Sequence, residues 1–162
     1  MVADFLPEEL DLSQGWNEDS ISEIYQRFFN DFVNKKIMYS GKPVKVSMKK
    51  GPMDMLNVFW HIITKEDKKR GERLVDFARL KRVFWIKEII LNADHPDVLN
   101  WEYEEKPGKI RVYLWVQERD YVVVLEKKPN SYFLVTAYNV EGESTRRRLR
   151  KKYEKSQKNN RP

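Results

Sequence analysis

Few side chains in this sequence combine a chemistry with a setting that would use it. His61 lies within VFWHIIT, an apolar stretch where an imidazole needs a reason. It is either a core histidine bonded to backbone or a general base, because histidine is the side chain whose ordinary pKa lies nearest neutrality. His95 follows a helical pattern and precedes a proline, a setting that suits a solvated or helix-end role. Arg79 and Arg82 fall inside the apolar arc of a helical wheel, and two buried like charges are costly unless an anion or carboxylates compensate them. Carboxylates from the acidic N-terminal stretch could do this, and so could a phosphate, which the planar guanidinium fork binds in bidentate fashion. Near the end of the chain, period-two alternation puts Tyr132, Leu134, Thr136 and Tyr138 on one strand face and Phe133, Val135 and Ala137 on the other. Thr136 and Tyr138 then offer two hydroxyls in one direction, either as ordinary strand packing or as ligands.

Several elements must position these residues. Residues 1–17 read as an irregular acidic segment. Ser20 is a plausible N-cap with Glu23 three residues on, followed by Ile21, Ile24, Tyr25, Phe28 and Phe32 at helical spacing. Residues 37–48 suggest a small hairpin around Ser40-Gly41-Lys42-Pro43. Residues 58–64 read as a strand, with a short helix as the alternative. A charged loop, KEDKKRGER, leads into a helix over 73–92, the one whose wheel carries Arg79 and Arg82. Strands follow at 98–104, 110–117, 121–127 and 132–140, joined by hairpin-length connections, so a four-stranded antiparallel meander is the economical topology. A basic helix of about ten residues closes the chain. The fold class is therefore α+β, with one domain over 18–157 and a disordered basic tail at 158–162.

Charge and composition narrow the function classes. The 162 residues carry 31 Lys and Arg against 25 Asp and Glu, and no cysteine. Disulfides, thiolate nucleophiles and cysteine zinc sites are excluded, and no phosphate-loop motif occurs. No stretch is apolar enough for a membrane span and the N-terminus lacks a leader pattern, so no membrane association and a cytoplasmic location are expected. Residues 1–23 hold seven carboxylates and no Lys or Arg, whereas 146–162 hold nine Lys and Arg against Glu154 alone. A net charge of +6 points to a polyanionic partner.

The order of FWHIIT, a stretch reading DFARLKRVFWIKEII, and strands ending YVVVLEKK and YFLVTAYNV resembles one family. It is the phage-borne branch of the barnase-EndoU-colicin-RelE superfamily, small metal-independent ribonucleases and toxins. The resemblance spans about residues 58–153. It implies N-terminal helices packed on a four-stranded antiparallel sheet, no cofactor and no metal, and a catalytic set of His61, Arg79, Arg82, Thr136 and Tyr138 facing one cleft. His61 would take the proton of a ribose 2′-OH, the arginines would stabilise the phosphorane, and Tyr138 and Thr136 would serve the leaving oxygen and the phosphate. Trp85 and Trp60 would be stacking surfaces, and Arg146, Arg147, Arg148 and Lys151 would make sequence-independent phosphate contacts. The implied partners are RNA (tRNA, mRNA or rRNA) and an antitoxin or inhibitor protein. The competing expectation is a non-catalytic RNA-binding or protein-interaction module on the same fold. A third is that the acidic N-terminal segment covers the cleft as a built-in inhibitor.

Overall fold

The computed structural model describes residues 4–159. Its first helix, α1 (Glu18–Phe29), begins with a reciprocal cap: the Ser20 amide donates to Asn17 Oδ1 and the Asn17 amide to Ser20 Oγ, both at 2.9 Å. Asn17, not Ser20, is thus the N-cap, and two orphan donors are satisfied together. Ile21, Tyr25 and Phe28 are buried on one face, and a π turn (Asn30–Asn34) adds Phe32. The expected hairpin forms from β1 (Ile37–Tyr39) and β2 (Lys42–Lys45), with Ser40 and Gly41 both at positive φ, the twist that a two-residue hairpin turn requires.

The middle of the chain departs from expectation. VFWHII lies in a helix, α2 (Asn57–Ile63), because Phe59, Ile62 and Ile63 reach the core at helical spacing. A short apolar run does not distinguish the two periods. The charged loop and the start of the expected long helix form a hairpin, β3 (Thr64–Asp67) with β4 (Glu72–Val75), turned at Gly71 with φ +67°. Asp76 then caps α3 (Phe77–Leu80) by accepting from the Arg79 amide, a turn intervenes, and α4 (Trp85–Leu91) completes the region. The single helix over 73–92 is therefore three elements, and the wheel that united Arg79 with Arg82 does not apply.

The four C-terminal strands form as an antiparallel run: β5 (Leu99–Lys106), β6 (Lys109–Val116), β7 (Tyr121–Lys127) and β8 (Tyr132–Asn139). They do not stand alone. β2 adds parallel to β8, giving a mixed six-stranded sheet in the order β1-β2-β8-β7-β6-β5, in place of the expected four-stranded antiparallel one. Both faces are covered, as the near-continuous apolar runs of β6 and β7 require. Val112, Leu114, Val116, Val123 and Leu125 pack with α1–α4, while Tyr113, Trp115, Val122 and Val124 pack with the last helix, α5 (Gly142–Asn159). α5 has 18 residues and includes Lys158 and Asn159 of the expected disordered tail. Residues 160–162 lie outside the described residues. Leu149 anchors α5 at 2% exposure, a burial that contributes about 2 kcal/mol.

Candidate active site

Thr64, fully buried where α2 passes into β3, organises the first half of the site. Its hydroxyl donates to the Trp60 carbonyl at 2.6 Å and accepts from Arg73 Nε at 2.9 Å. Its carbonyl accepts from Arg73 Nη2 and from Arg79 Nη1, each at 2.9 Å. Arg73 Nη2 also donates to the His61 carbonyl at 3.0 Å. Two guanidinium groups thus converge on one peptide oxygen, and among the described residues neither forms an ion pair. Partial burial and the Arg79 charge lower the Arg73 pKa, with Glu66 across the hairpin opposing them. Guanidinium groups held together outside ion-pair distance of any carboxylate among the described residues, with N–H donors to spare, can receive an anion.

His61 occupies the last turn of α2, open to solvent, and its imidazole has no hydrogen-bond partner among the described residues. Partial burial, then the Arg73 and Arg79 charges, lower its pKa below the ordinary 6.5. The ring is consequently neutral at pH 7 and has a free nitrogen lone pair to accept a proton.

The second half comes from β8, where a bulge changes which way the side chains face. Val124 of β7 pairs with Thr136 and Leu125 with Leu134, so Val135 is the extra residue. Tyr132 and Leu134 face α1–α4, whereas Thr136 and Tyr138 beyond the bulge face α5. Strict alternation would have put all four together; an extra residue re-aims the strand. The expectation that Thr136 and Tyr138 point the same way holds. Both line a cavity of about 240 Å³ with Arg111, Tyr113, Arg148 and Lys152. Burial raises the Tyr138 pKa; Arg148 and Arg79 pull it down and Glu105 adds to the rise, leaving it raised overall. Tyr138 therefore stays protonated at neutral pH, with its hydroxyl free to donate. The Arg79 charge adds to the lowering at His61 and opposes the rise at Tyr138, while the Thr136 and Tyr138 side chains themselves line the separate cavity under α5. A Lys65–Glu141 ion pair at 3.2 Å links the β3–β4 hairpin to the start of α5.

Protein-family models, characterised proteins and solved structures gave no match to this chain. The site therefore rests on its own geometry.

Other candidates go elsewhere. Arg82 donates to Glu9 Oε2 (2.9 Å), the Arg119 carbonyl (2.8 Å) and Asn139 Oδ1 (2.9 Å), and lies 4.4 Å over the Trp85 ring. Asn139 is one residue past Tyr138 and so faces the opposite side of β8. Arg82 is a structural tie outside the site, compensated by the acidic N-terminal segment. Trp85 is 2% exposed, with Nε1 donating to the Pro7 carbonyl, so it is a core residue and offers no face to a base. Trp60 is partly buried against the same core. The acidic segment lies along Lys81, Arg82 and Trp85, with Glu9 3.4 Å from Lys81 Nζ and the Leu10 amide donating to the Lys81 carbonyl. It covers that surface, not Arg73 and Arg79. His95 packs against Phe5 with the rings tilted and accepts from the Asp97 amide at Nδ1, as a turn histidine.

On α5, Arg146 is bound by Asp120 at 2.7 Å and by Glu143, so its charge is already met. Arg147, Arg148 and Lys151 are exposed, and only Arg148 lines the cavity. Among the described residues, no helix is long and apolar enough to cross a membrane.

Thr64, Arg73 and Arg111 stand in these two groups and are not marked by the sequence. Arg73 was one of several basic residues in KEDKKRGER, and only its pairing across from Glu66 sets it apart. Thr64 sits four residues after Trp60, the spacing of a hydroxyl bonding back to a helix carbonyl, a signal readable only once α2 is known to be a helix.

Proposed function

We propose that this protein is a metal-independent endoribonuclease that cleaves RNA by attack of a ribose 2′-OH on the adjacent phosphate. The supporting observation is the Arg73–Arg79 pair, two guanidinium groups fixed on one carbonyl without a carboxylate, beside the free neutral imidazole of His61. His61 accepts the 2′-OH proton as the 2′-oxygen bonds to phosphorus. The bond to the 5′-oxygen breaks, leaving a 2′,3′-cyclic phosphate and a 5′-OH, and the leaving oxygen takes its proton from water. Arg73 and Arg79 stabilise the added negative charge of the phosphorane; removal of one such preorganised donor costs on the order of 10²- to 10³-fold in rate. Tyr138 donates a hydrogen bond on the leaving-group side. Arg147 and Lys151 lengthen the contact with the RNA backbone. By the family resemblance, such a nuclease serves as a toxin or phage effector on tRNA, mRNA or rRNA, restrained by an antitoxin or inhibitor protein.

The test is incubation of wild-type and His61→Ala protein with end-labelled total RNA in EDTA. Cyclic-phosphate ends formed by the wild type alone support the reading. Binding without cleavage by the wild type assigns the fold to an RNA-binding module instead.

A further inference from the structure

The cavity between β6, β8 and α5 holds more cationic donors than its own carboxylates neutralise. Lys152 Nζ is matched by Glu105, at 2.9 and 3.1 Å from its two oxygens. Tyr113 donates to the same carboxylate and accepts from Lys152 at 2.9 Å, so these groups form a closed set. Although burial alone would raise the Glu105 pKa, the bonds from Tyr113 and Lys152 bring it below the usual range, so the carboxylate is ionised and committed. Arg111 is only partly met: Glu126 lies 3.6 Å from its Nε, which is buried without a hydrogen bond, and that carboxylate is shared with Lys109 and Lys128. Arg148 has no ion pair among the described residues, and the hydroxyls of Thr136 and Tyr138 have no hydrogen-bond partner there. An open cavity of about 240 Å³ with spare guanidinium and hydroxyl donors fits one tetrahedral anion.

We infer that this cavity binds a second phosphate of the RNA strand, the one on the 3′ side of the scissile bond. The direction rests on the ribonuclease reading. His61 serves the 2′-OH, which belongs to the 5′ nucleoside, and Tyr138 serves the leaving oxygen of the 3′ nucleoside. Tyr138 lines the cavity, so the chain continuing past the leaving oxygen enters it. Arg148 carries the charge recognition, and Thr136 and Arg111 supply further donors.

Dinucleotides lacking the 2′-OH test the subsite apart from catalysis, because they bind without being cleaved. NMR titration of the 162-residue chain compares d(NpN), d(NpNp) with an added 3′-phosphate, and d(pNpN) with an added 5′-phosphate. The 3′-phosphate should tighten binding about tenfold, or about 1.4 kcal/mol. The 5′-phosphate should give less. Arg148→Ala should abolish the 3′ gain, while Arg150→Ala, an exposed neighbour on α5, should retain it. Equal affinities for d(NpN) and d(NpNp), a larger gain from the 5′-phosphate, or a 3′ gain that survives Arg148→Ala would each overturn the inference. A 3′ gain in a protein that cleaves no RNA would uphold the anion site and reject the nuclease; cleavage without the gain would do the reverse.

Discussion

Replacing Thr64 with valine keeps the shape of a fully buried side chain and removes only its hydroxyl. Two bonds are lost, the 2.6 Å donation to the Trp60 carbonyl and the 2.9 Å acceptance from Arg73 Nε. The first is a buried neutral bond worth about 1 kcal/mol, and the second involves a charge and would be worth about 2 kcal/mol if dry. Arg73 is partly exposed, so water recovers part of the second loss. The expected destabilisation is about 2 kcal/mol, which at a urea slope of roughly 2 kcal/mol/M lowers the midpoint by about 1 M. Arg73 retains its bonds to the His61 and Thr64 carbonyls but loses the contact that fixes its rotation. Affinity for d(NpN) should therefore fall about tenfold, equivalent to about 1.4 kcal/mol. Thr64→Ser, which keeps the hydroxyl, should recover most of the affinity. Urea unfolding and NMR titration read the two effects separately. A valine variant with an unshifted midpoint and wild-type affinity would refute the role of Thr64 as organiser of the arginine pair.

The two arginines of the sequence reading should separate by assay. Arg79→Ala should reduce RNA cleavage on the order of 10²-fold with little loss of stability, whereas Arg82→Ala, which frees Asn139 and the Arg119 carbonyl, should cost about 2 kcal/mol in urea unfolding. The reverse pattern would return Arg82 to the site. His61 should also affect stability against pH: its folded pKa is lowered, so the unfolded chain takes up a proton first as pH falls below about 6.5. Wild-type stability should therefore decline relative to His61→Gln between about pH 7.5 and 5, and parallel curves would remove the claim that the imidazole is held neutral.

Where one period ran uninterrupted, the sequence was readable. The aromatic stripe of α1 and the strands β6 and β7 emerged close to their observed limits, because each buries residues at the spacing of its own backbone. Residues 73–92 failed for a physical reason: Val75 completes a ladder with Thr64 and Asp76 caps a new helix, while the apolar residues still happened to fall on one helical arc. The β8 bulge leaves no mark in YFLVTAYN, since Val135 is an acceptable strand residue at either register, yet it turns Thr136 and Tyr138 toward α5. Of the expected site, His61 and Arg79 lie around Thr64, Thr136 and Tyr138 line the cavity under α5, and Arg82 joins neither group. The N-terminal acids found a partner in Arg82, as their charge suggested they could, but at a place away from the arginine pair.

The proposed mechanism makes phosphodiester cleavage depend on a neighbouring 2′-OH. An oligodeoxynucleotide with a single internal ribonucleotide, incubated with the protein in EDTA, tests this most directly. One cut is expected, on the 3′ side of the ribonucleotide, leaving a 2′,3′-cyclic phosphate and a 5′-OH, and lost in His61→Ala. Cleavage of the all-deoxy control, products bearing a 5′-phosphate, or an uncut substrate that remains bound would contradict it.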